Sequence, residues 1–280
     1  FNMINDIPYA VGAMGTVPVE FLTYLQAKSV LDQNLAPMDN QRRLIITPTM
    51  EATIVDKLKG LFQSSSEIDS QYKSGSMGKS AGFDWYTNTL LPALATGTLV
   101  TAGSTVTTTV ATQGATSIAL TVSTGLTLKK GQIFHVAGVY NVHPQTKAVL
   151  STLYPFVATA DNGGSGTSIT VAVPPMYTTG ALKNMSAFPQ SSAVVTVESH
   201  TTAGTATAQG IAFHKDAFTF ASADLIMPGG VDFSAREVWQ NLSMRVVRAY
   251  DINNDVLPCR IDVLYGYKTL RSQLACRIWS

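Results

Sequence analysis

The sequence predicts an α+β fold interrupted by an inserted all-β domain, and three observations carry that prediction. From about Thr98 to about Thr201 the chain is rich in Thr, Ser and Gly, and no charged residue occurs between Asp84 and Lys129. Within that stretch, Thr105–Val110 and Ser117–Val122 alternate hydroxyl or small side chains with Val, Ile or Leu, the period of two expected of strands with one buried face. Helical patterns and a short apolar strand precede the stretch, and long half-apolar strands follow it. Residues 1–97 and 204–280 are therefore expected to fold on each other as one body, with residues 98–203 as the insert.

The elements follow in order. Gly12, Gly15 and Pro8 make the first residues a loop. Pro18 and Glu20 then open a helix carrying Phe21, Leu22, Leu25 and Leu31 as its apolar stripe; it runs to about Asn34, and Pro37 closes it. Arg43–Ile46 reads as a short strand. Thr47 before Pro48 is an N-cap and first-turn pair for a second helix, with Met50, Ile54, Val55, Leu58 and Leu61 on its apolar side. Ser64–Ser66 can cap a short helix through Tyr72, ended by Gly75, and Gly82–Thr87 reads as a strand. In the insert we expect Thr105–Val110, Ser117–Val122, Gln132–Val136, Phe156–Thr159, Ser168–Val173 and Val194–Glu198, with turns at Lys129–Gly131 and Asp161–Gly164 and a stop at Pro174–Pro175. That spacing suits a small barrel or sandwich. Beyond it, Ile211–Ala217 is a strand leading to a short helix near Ser222, and Met227–Gly230 is a loop. Leu242–Tyr250 and Cys259–Tyr267 are long strands joined by the Asp251–Asp255 turn, and Leu274–Trp279 is the last strand. These late strands are expected to pair with each other and with strands of the first hundred residues.

Composition narrows the function. Only 13% of the 280 residues are charged and 45% are hydrophobic, where roughly 25% charged is usual. Such a surface is either covered by further copies of the chain or kept soluble by hydroxyls. A net charge of +1 argues against tight nucleic-acid binding. Cys259 and Cys276 have no CxxC spacing and read as two ordinary buried thiols in a reduced compartment. No apolar run approaches the ~18 residues of a membrane span.

The motifs are weak. Gly75-Ser-Met-Gly78-Lys79-Ser80 looks like the tail of a phosphate loop, but Lys73 occupies the place of its first glycine, so it reads as a turn. Asp251-Ile-Asn253-Asn254-Asp255 resembles half a calcium loop, yet Val256 and Asp262 stand where Gly and Glu belong. A strand-connecting turn, at best an opportunistic cation site, is expected. His135, His143, His200 and His214 have neither ligand spacing nor a nucleophile nearby and read as structural. Trp85, Trp239 and Trp279 read as core or interface anchors. We assign no catalytic, cofactor-binding or metal-binding residue.

Taken together, Arg43–Pro48, Ala81–Asp84, Leu128–Val139, Phe213–Phe218, Met227–Gly230 and Arg260–Gly266 resemble the coat proteins of tailed bacteriophages, and most closely the short-tailed type with an inserted β-barrel. The resemblance runs from about Pro18 to Trp279. It implies the Hong Kong ninety-seven capsid fold, with axial and peripheral domains in residues 1–97 and 204–280 and the barrel between. It further implies a homo-oligomer of pentamers and hexamers, forming an icosahedral shell around packaged double-stranded DNA that is contacted non-specifically. A scaffolding protein and a portal would be assembly partners, the host bacterial cytoplasm the place of assembly and the virion the final location, with no enzyme activity, cofactor, membrane or small-molecule substrate. The N-terminal arm, extended loop and spine helix of that family are not in this sequence, and Phe1 is not an initiator Met, so an upstream portion is expected. The alternative reading is a binding module whose β insert recognises a glycan through Tyr140, Tyr154 and Tyr177. A hydrolase using His214 is the weakest reading.

Overall fold

The structure, a computed structural model, describes residues 2–58, 78–99, 104–163, 166–200 and 202–280. The expected Ser64–Tyr72 helix and its Gly75 stop lie outside the described residues. The chain divides into two compact units, residues 1–217 with 271–280, and residues 218–270.

In chain order the first unit carries β1 (Ala10–Val11), α1 (Phe21–Gln33), β2 (Arg42–Ile46), α2 (Pro48–Leu58), β3 (Lys79–Ser80), β4 (Phe83–Thr87) and β5 (Leu94–Ala95). It continues with β6 (Ser104–Val106), β7 (Ala115–Thr121), β8 (Ile133–Val142), β9 (Val149–Val157), β10 (Ser168–Met176) and β11 (Val194–Val197). Then come β12 (Ala206–Thr207) and β13 (Gln209–His214). The second unit holds β14 (Phe218–Ala223), β15 (Phe233–Trp239), β16 (Leu242–Arg248) and β17 (Cys259–Thr269), and β18 (Ala275–Trp279) returns to the first.

One sheet of the first unit has the order β1-β18-β13-β2-β4-β3. The last strand thus lies between the first and β13, parallel to β1 (Ala10 opposite Arg277) and antiparallel to β13 (Ala212 opposite Cys276). Helix α1 packs on this sheet through Tyr24, Ala27 and Leu31, all fully buried. This corrects the predicted stripe: Leu22 and Leu25 are 58% and 40% exposed. Tyr24 wins the buried side because its ring sits 4.9 Å from Trp85 of β4. The Arg42 guanidinium fixes the end of α1 by donating to Asp32 Oδ1 and to the carbonyls of Ala36 and Pro37. Helix α2 starts as its cap predicts, with Met50 N–H donating to Thr47 Oγ1 at 3.4 Å, and buries Met50 and Ile54.

A second six-stranded sheet, antiparallel throughout, has the order β10-β7-β6-β11-β8-β9. Beyond the ladder, Thr159 N–H after β9 donates to Ala172 O of β10 at 2.9 Å, joining the two outer strands at one end. Its core, including Leu120, Phe134, Phe156, Val171 and Val195, is drawn wholly from residues 99–197. Several predicted limits shift: the strand predicted over Gln132–Val136 runs on to Val142, and the one predicted over Phe156–Thr159 spans Val149–Val157. The strand predicted over Thr105–Val110 covers only Ser104–Val106, and β10 runs past Pro174 and Pro175 to Met176. The prolines are tolerated because they fall in a register break between Ala172 and Met176, where no ladder bond is asked of them.

The second unit is an antiparallel sheet of order β14-β17-β16-β15. The helix predicted near Ser222 is instead strand β14, paired along its length with β17 from Phe218 opposite Thr269 to Ala223 opposite Leu264. The register of a ready partner outweighs the small side chains of Ala221, Ser222 and Ala223. β16 and β17 pair with each other as predicted, but their further partners are β15 and β14, not strands of the first hundred residues. The polar turn between them is closed by Asp251, whose carboxylate accepts from Asn253 N–H and Asn254 Nδ2.

Candidate functional site

The sequence predicts contact surfaces and no reactive centre, so the places to examine are buried charge and exposed apolar area. Buried charge concentrates where β18 meets the second sheet of its own unit. Arg277 is fully buried. It donates from Nη1 to Gly131 O at 2.7 Å, its guanidinium carbon lies 4.9 Å from the centre of the Trp279 ring, and its Nε and Nη2 have no protein partner. Burial pulls this guanidinium down to about 10, with Glu198 opposing the shift, so it remains a cation at neutral pH. Glu198, just after β11, ties the region together: one oxygen accepts from Trp279 Nε1 at 3.0 Å and the other lies 3.0 Å from His135 Nε2. Beside them Gln132, fully buried, accepts from the backbone N–H groups of Gly97 and Lys129 through Oε1. Leu94, Ile133 and Trp279 form the apolar part of the seam. Burial in the same strand raises the Cys276 thiol far above its ordinary range, so it is an inert packing group; Cys259, at the start of β17, is exposed, which corrects the expectation that both thiols are buried.

The histidines are held structurally. His214 is buried with Nε2 3.0 Å from Asp39 Oδ1 and Nδ1 accepting from Asp216 N–H. His143 and His200 accept from nearby backbone N–H groups. Lys79 and Ser80 form β3, paired back onto Asp84 and Phe83 of β4; Gly75 to Met77 lie outside the described residues. Among the described residues, no group of three His, Cys, Asp or Glu could hold a metal ion, and no helix is long and apolar enough to cross a membrane. Trp85 and Trp279 are buried anchors, whereas Trp239 is 62% exposed.

Exposed apolar area concentrates on the second unit. Directly paired residues of an antiparallel sheet share a face. The ladders therefore place Phe220, Tyr265, Tyr267, Val263, Met244 and Ile261 on one side, and Arg245, Asp262, Arg260 and Lys268 on the other. Phe220, Tyr265 and Ile261 are 60%, 56% and 67% exposed. Phe220 stacks on Tyr265 at 5.8 Å, and Tyr265 on Tyr267 at 6.4 Å. On the polar side Asp262 accepts from Arg245 Nε and Nη2 and from Arg260 Nε, and the Arg245 bond, with that of Arg260, lowers its carboxyl below the usual range. The exposed aromatic row was recognisable in the alternation of Val263, Tyr265 and Tyr267. Arg277 had one signal, a lone charge in an otherwise apolar terminal strand, and Glu198 and Gln132 had none.

A family model described as P22 coat protein, gene protein 5, matches residues 10–276. A solved chain from Mycobacterium phage Che8 aligns with 10% identity and a TM-score of 0.34, covering 99% of this chain and 55% of that one, so this chain spans about half of its length. No curated protein matches.

Proposed function

The chain belongs to the P22 coat protein family, and from that premise we propose that it works as the repeating unit of an icosahedral phage shell, through contacts between copies. Membership makes it a structural coat protein of the virion, and the match over residues 10–276 is the observation that carries the reading. Pentamers and hexamers of the chain would enclose packaged double-stranded DNA. A scaffolding protein and a portal would act during assembly in the bacterial cytoplasm, and no enzymatic step is required of it. Low charge and the exposed apolar face of the β14–β17 sheet support this. Interfaces of this sort remove apolar area from water and leave charge at the rim. Family membership does not favour the glycan reading, and of its three tyrosines only Tyr140 is exposed, at 40%.

Residues 98–203 are proposed to be a barrel inserted into the capsid fold, dividing the chain into 1–97, 98–203 and 204–280. A core confined to residues 99–197 and the Thr159–Ala172 bond between outer strands support that division. The test of the main reading is electron microscopy with light scattering on the full-length protein co-expressed with its scaffold. Closed particles of uniform size are expected; a protein that stays monomeric under those conditions overturns the reading.

A further inference from the structure

Between the second sheet of the first unit and the end of α1 lies a cavity of about 470 Å³ that the coat reading leaves unused, within the ~300–1,000 Å³ range of small-ligand sites. Its lining is partly apolar, with Tyr9, Tyr154 and Tyr177 and the prolines Pro8, Pro174 and Pro175. None of its lining residues is acidic, and two are lysines, Lys147 and Lys183. Each ammonium donates to the other residue's carbonyl, Lys147 Nζ to Lys183 O at 3.1 Å and Lys183 Nζ to Lys147 O at 3.3 Å. A carbonyl satisfies one of three ammonium protons and neutralises no charge. Asn34, only 7% exposed, lines the same cavity, and its Nδ2 has no hydrogen-bond partner. The Asn34 and Asn141 side-chain amides both lie within reach of the Tyr9 hydroxyl. The amide of Asn184 is spent on Tyr177 N–H and Pro175 O, and Asn141 Oδ1 on Val142 N–H.

The charge here is all positive, two ammonium groups with no carboxylate in the lining. A neutral sugar would leave that charge uncompensated. A group rich in acceptors and carrying negative charge is well matched, and the tyrosine and proline faces suit an apolar body behind it. Lys147 also sits at φ 58°, in the left-handed region, on the turn that begins at His143. A lysine in that conformation is held against its own backbone preference.

We propose that this cavity recognises a carboxylate carried on an apolar body, and that its ligand is an acidic segment of a partner polypeptide. The site does not depend on shell assembly, so it can fail or stand apart from that reading. The test titrates the full 280-residue chain with acetyl-Pro-Glu-Tyr-amide, with its Gln counterpart and with citrate, by amide NMR shifts and calorimetry. The Glu peptide is expected to bind at least about tenfold more tightly than the Gln peptide, the loss of one charge-assisted hydrogen bond. That preference should vanish in the Lys147→Asn, Lys183→Gln double variant, whose thermal midpoint should match the parent because Asn tolerates the left-handed backbone. Citrate binding without peptide binding, sensitive to the same variant, would keep the carboxylate site and assign it to a free small acid. Absence of shifts with all three probes, or shifts that survive in the double variant, would overturn it.

Discussion

Arg277 and Glu198 differ in what their removal leaves behind. Arg277 is a buried cation with two unpartnered nitrogens, and an apolar residue of similar size removes that cost along with its single bond to Gly131. Arg277→Met is therefore expected to change stability by no more than about 1 kcal/mol in either direction. Glu198→Ala strands the Trp279 indole N–H and removes the charge that supports Arg277; it should cost about 2 kcal/mol or more. Chemical denaturation of both variants checks the pair, and a large loss from Arg277→Met would show that the cation itself is required. Asp262 supplies a pH dependence. Its folded carboxyl lies below its ordinary value, first through Arg245, so the stabilisation is present above the unfolded pKa of about 3.9 and is lost as pH falls through the lower folded value. The urea midpoint measured from pH 5 to pH 2 should fall less steeply for Asp262→Asn than for the parent. Beyond the lone charge of Arg277 in an apolar strand, this cluster was not legible in the sequence, because Glu198, Arg277 and Gly131 are brought together only by the return of the final strand.

At the scale of elements, the sequence was most informative where local chemistry decides. Thr47 and Pro48 announced α2, and Thr47→Ala should cost about 1 kcal/mol by thermal melting. Strands β7 and β11 lay where alternation placed them, and β8 and β10 began there but ran further. The misreadings have a common cause: β14, the near side of α1 and the continuation of β10 were settled by partners distant in sequence, which periodicity does not encode. Gly97 is a sharper case. No sequence pattern marks it, yet a Cβ there would stand 2.1 Å from the Thr127 carbonyl oxygen, while its N–H donates to Gln132 Oε1 at 2.8 Å. Gly97→Ala should destabilise the first unit by about 2 kcal/mol or more, seen as a lower denaturant midpoint.

At the scale of the whole molecule, the low charge fraction left surface covered by further copies as one of two readings, and the β14–β17 sheet is one place where exposed apolar surface lies. Ile261→Lys, on its apolar side and 67% exposed, should leave the chain's own melting temperature unchanged and lower the yield of closed particles by sedimentation. The proposed insert boundary has its own check. Residues 98–203 expressed alone should give dispersed amide resonances, whereas a collapsed spectrum would place its stability in the seam with β18. That seam also bears on timing. Strand β18 pairs with β1 and separates it from β13, so during synthesis the sheet stays open until residues 275–279 have left the ribosome. A nascent or prematurely terminated chain therefore lacks the strand that ties β1 into the sheet, and the sheet closes once translation has passed that strand.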